Sequence, residues 1–284
     1  MGVPVRVWPR APNILVIKKL KKYLKLSNNL KKFHFTFDKT KKSQILKKKF
    51  LKKYKNYSAK KSDYIIVGGG DGFMLNSLKQ YYNFNKPFYG INCGSFGFLM
   101  NKYFTKDIYK KIMNTKKISI NPLELIAVNK KNIIKKLIAI NEVSIFRQSR
   151  QTASLKVNIG KNIIIKKLIG DGILVSTPAG STAYNMSVNG PILSLNSGKL
   201  AITPISPFRP RRWAGKVISN KLKINIKNLD IFKRPVAAVA DNIEIRDIKL
   251  LKIKINKKIK LNLLYDKNRS LIKKIRNEQL KKTN

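Results

Sequence analysis

The rhythm of apolar and polar residues changes twice along this 284-residue chain. Over 32–37 the run Lys-Phe-His-Phe-Thr-Phe alternates and is aromatic, which predicts a strand with His34 as a packed or edge residue. Leu46, Phe50 and Tyr54 then recur every four residues, with Leu51 alongside, and predict a helix with one apolar face. Lys47, Lys48 and Lys49 fall on its solvated side, and Ser43 is placed to cap it. The unbroken apolar run Tyr64-Ile65-Ile66-Val67 opens into Gly68-Gly69-Gly70-Asp71-Gly72 and a helix over about 73–82. A second strand over 87–91 feeds a second glycine turn, Asn92-Cys93-Gly94-Ser95-Phe96-Gly97-Phe98-Leu99, and a helix is expected over about 105–116. Strand, helix, strand at this spacing indicates a βαβ unit and a parallel sheet. The two glycine turns then lie side by side at the carboxyl ends of neighbouring strands, where open α/β sheets bind ligands.

After Pro122 the rhythm becomes that of short strands. Runs at 124–128, 133–140, 154–159, 163–169 and 173–175 alternate or are continuously apolar, with a hairpin turn over 158–162. Further runs fall at 199–205, 223–226, 235–240, 243–246, 250–255 and 258–264. Many strands and few helices predict a β-rich second domain, with the boundary near 119–122. Residues 270–282 read as a basic helix that folds back on the first domain. The expected division is an N-terminal extension over 1–30, an α/β domain over 31–118, a β-rich domain over 119–265 and a terminal helix over 266–284.

Composition adds a core and a charge. Hydrophobic residues make up 43% of the chain, enough for a sizeable interior, and the formal charge is +49. Such a charge points to polyanions, and a basic nucleic-acid-binding protein is one reading. The lysines are spread over nearly every segment, without the aromatic interleaving of a base-stacking platform, so nucleic acid is expected only nonspecifically. The same field steers anionic small molecules toward a cleft. One cysteine, Cys93, and one histidine, His34, exclude an intrachain disulfide and His- or Cys-rich metal sites. That usage fits a reducing cytoplasm, and no apolar run reaches the ~18–20 residues of a membrane span.

The candidate chemistry sits in the turns. Glycines let backbone N–H groups approach phosphate closely. Asp71, the one acid among them, repels an anion but is well placed to take a proton or hold a metal ion. That combination points to phosphoryl transfer. Asn141-Glu142 follows an apolar strand, where an amide and a carboxylate can read a sugar and base; a plain β-turn pair is the alternative. Asp171-Gly172 opens the densest polar stretch, running through Ser176-Thr177-Pro178-Ala179-Gly180-Ser181-Thr182-Ala183-Tyr184-Asn185-Met186-Ser187. Its hydroxyls and aromatic ring suit a nucleotide, with a helix capped by Ser181 or Thr182. The proline-broken stretch 202–213, with Arg209, Arg211 and Arg212, reads equally as a phosphate pocket, a subunit contact or a rigid surface loop. Asp241-Asn242 ends another apolar strand.

Taken together these pieces resemble the NAD kinase family. The residues that carry the resemblance are Gly69-Gly70-Asp71-Gly72, the Asn92-x-Gly94-x-x-Gly97-Phe98-Leu99 turn, Asn141-Glu142, and Asp171-Gly172 with 177–185. The first turn is shared with lipid and sugar kinases, which remain alternatives for it alone; the 177–185 stretch is far more specific. Stretch 206–213 looks like the alphaproteobacterial branch. The resemblance implies an α/β, Rossmann-like donor domain and a β-sandwich-like NAD-binding domain. It also implies transfer of the terminal phosphate of ATP, or of polyphosphate, to the 2′-hydroxyl of the adenosine ribose of NAD, with a divalent metal such as Mg, for which no protein ligands are assigned. Asp71 would be the proton acceptor, with Gly69, Gly70, Gly72, Asn92 and Gly94 facing the donor phosphates. Asp71, Gly72, Asn141, Glu142, Asp171 and Ala179 would contact the dinucleotide. So would Thr182, Ala183, Tyr184, Asn185, Met186, Ser187, Asp241 and Asn242, with Tyr184 against a base ring. Family members are homo-oligomers, so a homodimer or homotetramer is implied. Many of them carry Arg just before the second Asp-Gly, where Ile169-Gly170 stands here, and Gly or Ser where Asn242 stands.

Overall fold

A computed structural model describes residues 31–95 and 97–267. The first half forms β1 (Phe33–Phe37), α1 (Lys41–Lys53), β2 (Tyr64–Gly69), α2 (Asp71–Tyr81), β3 (Phe88–Asn92), α3 (Ile108–Met113) and β4 (Thr115–Ile120). The second half runs through β5 (Leu123–Asn129), β6 (Ile134–Ala139), β7 (Glu142–Arg147), β8 (Ala153–Ile159), β9 (Asn162–Gly170) and β10 (Gly172–Ser176). A one-turn helix α4 (Tyr184–Ser187) precedes β11 (Lys199–Ile205), β12 (Lys216–Ser219), β13 (Ile224–Asn228), β14 (Val236–Ala240), β15 (Ile243–Ile245), β16 (Ile248–Ile255) and β17 (Leu261–Asp266).

Three sheets result. The first has the order β1-β2-β3-β17-β4, with β1, β2, β3 and β17 parallel and β4 antiparallel at the edge. The other two have orders β12-β11-β10-β7-β14-β15 and β6-β5-β16-β13-β8-β9 and are antiparallel throughout. Their inner faces share one core that includes Leu125, Val157, Ile173 and Leu200. The expected α/β half and all-β half are therefore both present.

The last strand departs from its expected place. The apolar run near 258–264 joins the first sheet, with Leu263 opposite Phe88 on one side and Asn262 opposite Ser119 on the other. Leu261, Leu263, Leu264 and Tyr265 are all buried, so this strand is apolar on both faces, as a central strand covered from two sides must be. The helix expected over 105–116 shortens to α3. Asp107 caps it by accepting from Tyr109 N, and Thr115 already begins β4. Three strands had no clear sequence signal: β4, β7, hidden behind Asn141-Glu142, and the four-residue β12. Ser43 does not cap α1, since it lies inside the helix, buried, and its hydroxyl donates to Gly68 O at 2.7 Å. His34 packs edge-on against Tyr81 at 5.0 Å, with Nδ1 2.8 Å from Tyr57 O. The N-terminal extension and the terminal basic helix lie outside the described residues.

The two halves meet along α2. Its buried Met74 and Leu78 share a cluster with Ile140 and Ala179, contributed by loops of the β half. The polar residues that flank Ile140 and Ala179 are thereby brought to the helix whose first residue is Asp71.

Candidate active site

The strand β2 ends where its glycines begin, and each glycine has its own surroundings. A Cβ on Gly68 would lie 2.5 Å from the Phe37 ring, and one on Gly69 would lie 2.8 Å from Asp38 Oδ2 and 2.9 Å from the Phe73 ring. These two are required by packing. Gly70 and Gly72 have nothing within 4 Å of that position, so the fold does not demand glycine there. The open side of the turn is at these two residues.

Asp71 opens α2 directly, two residues earlier than the apolar pattern places the helix start. Its carboxylate reaches the second glycine turn, where Oδ2 accepts from Phe98 N at 2.6 Å and Oδ1 from Leu99 N at 3.0 Å. Charge-assisted bonds of this kind are short and orienting. The two turns are also joined by Cys93 N donating to Gly69 O at 2.9 Å. Asn92 Oδ1 accepts from Gly94 N at 3.0 Å, which closes the second turn on itself. Burial pushes the Cys93 thiol up, so it packs as a small neutral group and is poorly suited to be a nucleophile.

A second cluster forms across α2. Asp241, at φ 54, stands in the left-handed region that Asp enters more readily than most residues. Its carboxylate turns inward and accepts from Ile140 N at 2.9 Å, Asn141 N at 2.8 Å and Glu142 N at 3.4 Å. Lys79 of α2 completes the arrangement, with Nζ 2.9 Å from Asp241 Oδ2 and 3.3 Å from the exposed Asn242 Oδ1. Glu142 is 9% exposed, and its Oε2 and the Oδ1 of Asn141 are buried without a hydrogen-bond partner. Burial, then the Asp241 charge, pushes the Glu142 carboxyl up to about 8. Orphaned buried polar atoms are rare in folded proteins, and these two are open to bond an ordered water or a ligand.

The third cluster lies on β7 and β10. Gly172 pairs with Phe146, whose ring centroid is 5.7 Å from that of Tyr184. Burial pushes the Tyr184 hydroxyl up, and the carboxylates of Asp171 and Glu142 push it further, so the three groups share one electrostatic neighbourhood. Asp171 Oδ1 pairs with Arg147 Nε at 2.6 Å, each side chain about 38% exposed. Arg147 is the residue that the sequence reading missed. Only the pairing of β7 with β10 puts a guanidinium beside Asp171.

The polar stretch 176–187 is folded inward more than its composition implies. Thr177 Oγ1 donates to Ile140 O at 2.7 Å and accepts from Gly180 N at 3.1 Å. Ser181 Oγ donates to Pro178 O at 2.8 Å and accepts from Leu193 N at 3.0 Å. The Asn185 side chain is fully buried, donating to Pro191 O at 3.0 Å and accepting from Thr203 Oγ1 at 2.7 Å. The expected capped helix is instead a 3-10 turn over Gly180–Thr182 followed by α4, and no side chain caps either. Thr182 and Ala179 are buried; Ala183, Tyr184 and Met186 are half-buried; Ser187 is exposed. In the 206–213 loop, the guanidiniums of Arg209 and Arg211 lie 5.5 and 5.7 Å from the centroid of the Phe208 ring, and the loop hangs on Ile169 by hydrogen bonds at Phe208 and Arg209.

An acid held between two glycine turns, with orphaned amide and carboxyl oxygens near a tyrosine in the β half, is the arrangement of a nucleotide kinase. The family model described as ATP-NAD kinase C-terminal domain matches residues 140–261. The NAD kinase of Brucella suis is 40% identical over 248 residues, covering 87% of this chain and 96% of its own. That of Zymomonas mobilis is 42% identical over 244 residues, covering 85% and 95%, and that of Rhizobium meliloti 43% over 226, covering 80% and 88%. The chain belongs to the NAD kinase family. Among solved structures, an Archaeoglobus fulgidus NAD kinase in complex with ATP aligns with TM-score 0.66 at 19% identity, covering 87% of this chain and 96% of that one. Yeast NADH kinase complexed with NADH aligns with TM-score 0.68 at 22% identity, covering 78% and 67%. These two likenesses establish the fold.

Proposed function

We propose that this enzyme transfers the terminal phosphate of ATP, or of polyphosphate, to the 2′-hydroxyl of the adenosine ribose of NAD. The observation that carries the reading is the position of Asp71. It is bonded to Phe98 N and Leu99 N of one glycine turn while it closes the other. A ribose hydroxyl is a poor nucleophile, and a positioned carboxylate that takes its proton contributes typically ~10²–10⁴-fold in rate. The attacking oxygen forms its bond to the terminal phosphorus as the bond to the leaving phosphate breaks, and the hydroxyl proton passes to Asp71.

Gly70 and Gly72 leave room for the donor phosphates to approach the main chain. The orphaned Asn141 Oδ1 and Glu142 Oε2 supply bonds to the acceptor nucleoside, and Tyr184 supplies a face for a base ring. Arg147 offsets Asp171, so that the dinucleotide's diphosphate meets one carboxylate fewer. Among the described residues no group of three or more His, Cys, Asp or Glu is arranged to hold a metal ion. A divalent cation bound with the donor phosphates would neutralise their charge.

The test is Asp71→Asn. It should retain NAD binding while NADP formation falls at least ~100-fold. Near-full turnover in that variant would remove Asp71 from the role.

A further inference from the structure

The donor side of the site carries two negative charges of its own. Asp71 closes the first glycine turn, and Asp38 lies against Gly69, its Oδ2 2.8 Å from where a Cβ would stand. A tri- or polyphosphate tail approaching this turn meets both carboxylates, and a cation of the protein on the same side would offset them beyond what a phosphate-bound metal supplies. Lys79 is occupied by Asp241, and Lys111 by Asp266.

We propose that Lys42 of α1 is the donor-phosphate cation, a contact for the shared phosphate tail of ATP and polyphosphate; this rests on the kinase reading above. Three observations place it. Ser43, the next residue, donates to Gly68 O at 2.7 Å and so pins the first turn of α1 to the first glycine turn. The Nζ of Lys42 lies 4.7 Å from the centroid of the Tyr103 ring, just beyond the second turn. Cys93, within that second turn, feels the charges of both Asp38 and Lys42, and Tyr103 in turn feels Cys93. Lys42 is exposed, and its ammonium has a ring face on one side and pairs with no carboxylate among the described residues. A lysine held over an aromatic ring keeps its remaining protons for an anion. The long stem spans the distance from helix to turn while the head stays in solvent.

The experiment is steady-state kinetics of Lys42→Ala, Lys42→Arg and Lys48→Ala on the full chain, with ATP as donor and inorganic tripolyphosphate as a competitive inhibitor. Lys48 is exposed on the same helix, so it controls for the chain's general positive field. In Lys42→Ala, the KM for ATP and the Ki for tripolyphosphate should both rise about tenfold, the loss of one charge-assisted contact. The KM for NAD and the thermal midpoint should stay within about twofold and 2 °C of wild type. Lys42→Arg should keep most of the affinity, and Lys48→Ala should match wild type. An unchanged KM for ATP in Lys42→Ala, or an equal rise in Lys48→Ala, overturns the assignment. The kinase reading would survive either result as long as the wild type forms NADP.

Discussion

Lys79 Nζ stands 2.9 Å from Asp241 Oδ2, and this pair joins the helix that begins at Asp71 to the loop that carries Asn141 and Glu142. The Asp241 side chain is only 4% exposed, so losing its cation strands a buried charge. Lys79→Met should cost about 2–4 kcal/mol in urea unfolding, part of it offset by the main-chain N–H groups that Asp241 keeps. Asp241→Asn in the Lys79→Met background should cost less than in wild type, with a coupling of about 1–3 kcal/mol. Additive losses would show that the two residues act separately.

The glycines of the first turn divide into two kinds, and substitution can separate them. Gly70→Ala and Gly72→Ala add a methyl group into open space. Both variants should keep wild-type thermal stability within about 0.5 kcal/mol while the KM for ATP rises. Gly68→Ala meets the Phe37 ring and should destabilise by about 1–3 kcal/mol. Equal stability losses at all positions would mean that the turn's glycines serve packing alone.

Much of this arrangement is legible in the sequence. The alternation in 33–37, the apolar run into Gly68 and the strand spacing after Pro122 carry enough period to place the elements. The βαβ order places the two glycine turns side by side, but the bonds from Phe98 N and Leu99 N to the Asp71 carboxylate come only with the fold. What stayed hidden depends on contacts distant in sequence. Nothing local says that Arg147 faces Asp171, that Lys79 reaches Asp241, or that β17 inserts between β3 and β4. Polar groups in 177–185 also serve the fold: Thr177 Oγ1 donates to Ile140 O, Ser181 Oγ to Pro178 O and the Asn185 amide to Pro191 O. A turn buried between two halves needs internal partners for its polar groups, and composition cannot tell those from groups aimed at a ligand.

Asn185 tests that distinction. Its side chain is fully buried and bonded to Pro191 O and Thr203 Oγ1. Asn185→Ala should lower stability by about 2–4 kcal/mol, through orphaned partners and a cavity. Tyr184→Ala, by contrast, removes a half-buried ring and should chiefly raise the KM for NAD. If Asn185→Ala keeps its thermal midpoint and loses NAD affinity, the side chain contacts the ligand directly after all.

The Glu142 carboxyl makes stability and binding depend on pH. Burial and the Asp241 charge raise it from 4.5 to about 8. Between those values the folded state holds a proton that the unfolded chain has released. Unfolding free energy therefore falls as pH rises through that window, by at most about 1.4 kcal/mol per pH unit, and levels off above it. Glu142→Gln removes this slope, so the variant should gain stability relative to wild type as pH rises from 5 to 8. Asp241→Asn removes one cause of the shift, so the fall in stability should end at a lower pH and be smaller in total. At neutral pH the protonated Glu142 of the free enzyme can donate from one oxygen as well as accept, whereas a carboxylate only accepts. A ribose hydroxyl can serve either state, so NAD affinity should pass through a change centred near the Glu142 transition. Urea unfolding and NAD titration from pH 5 to 9 measure both effects. Parallel curves for wild type and Glu142→Gln would show that Glu142 is ionised throughout, and that the cluster around Asp241 is wetter than its burial implies.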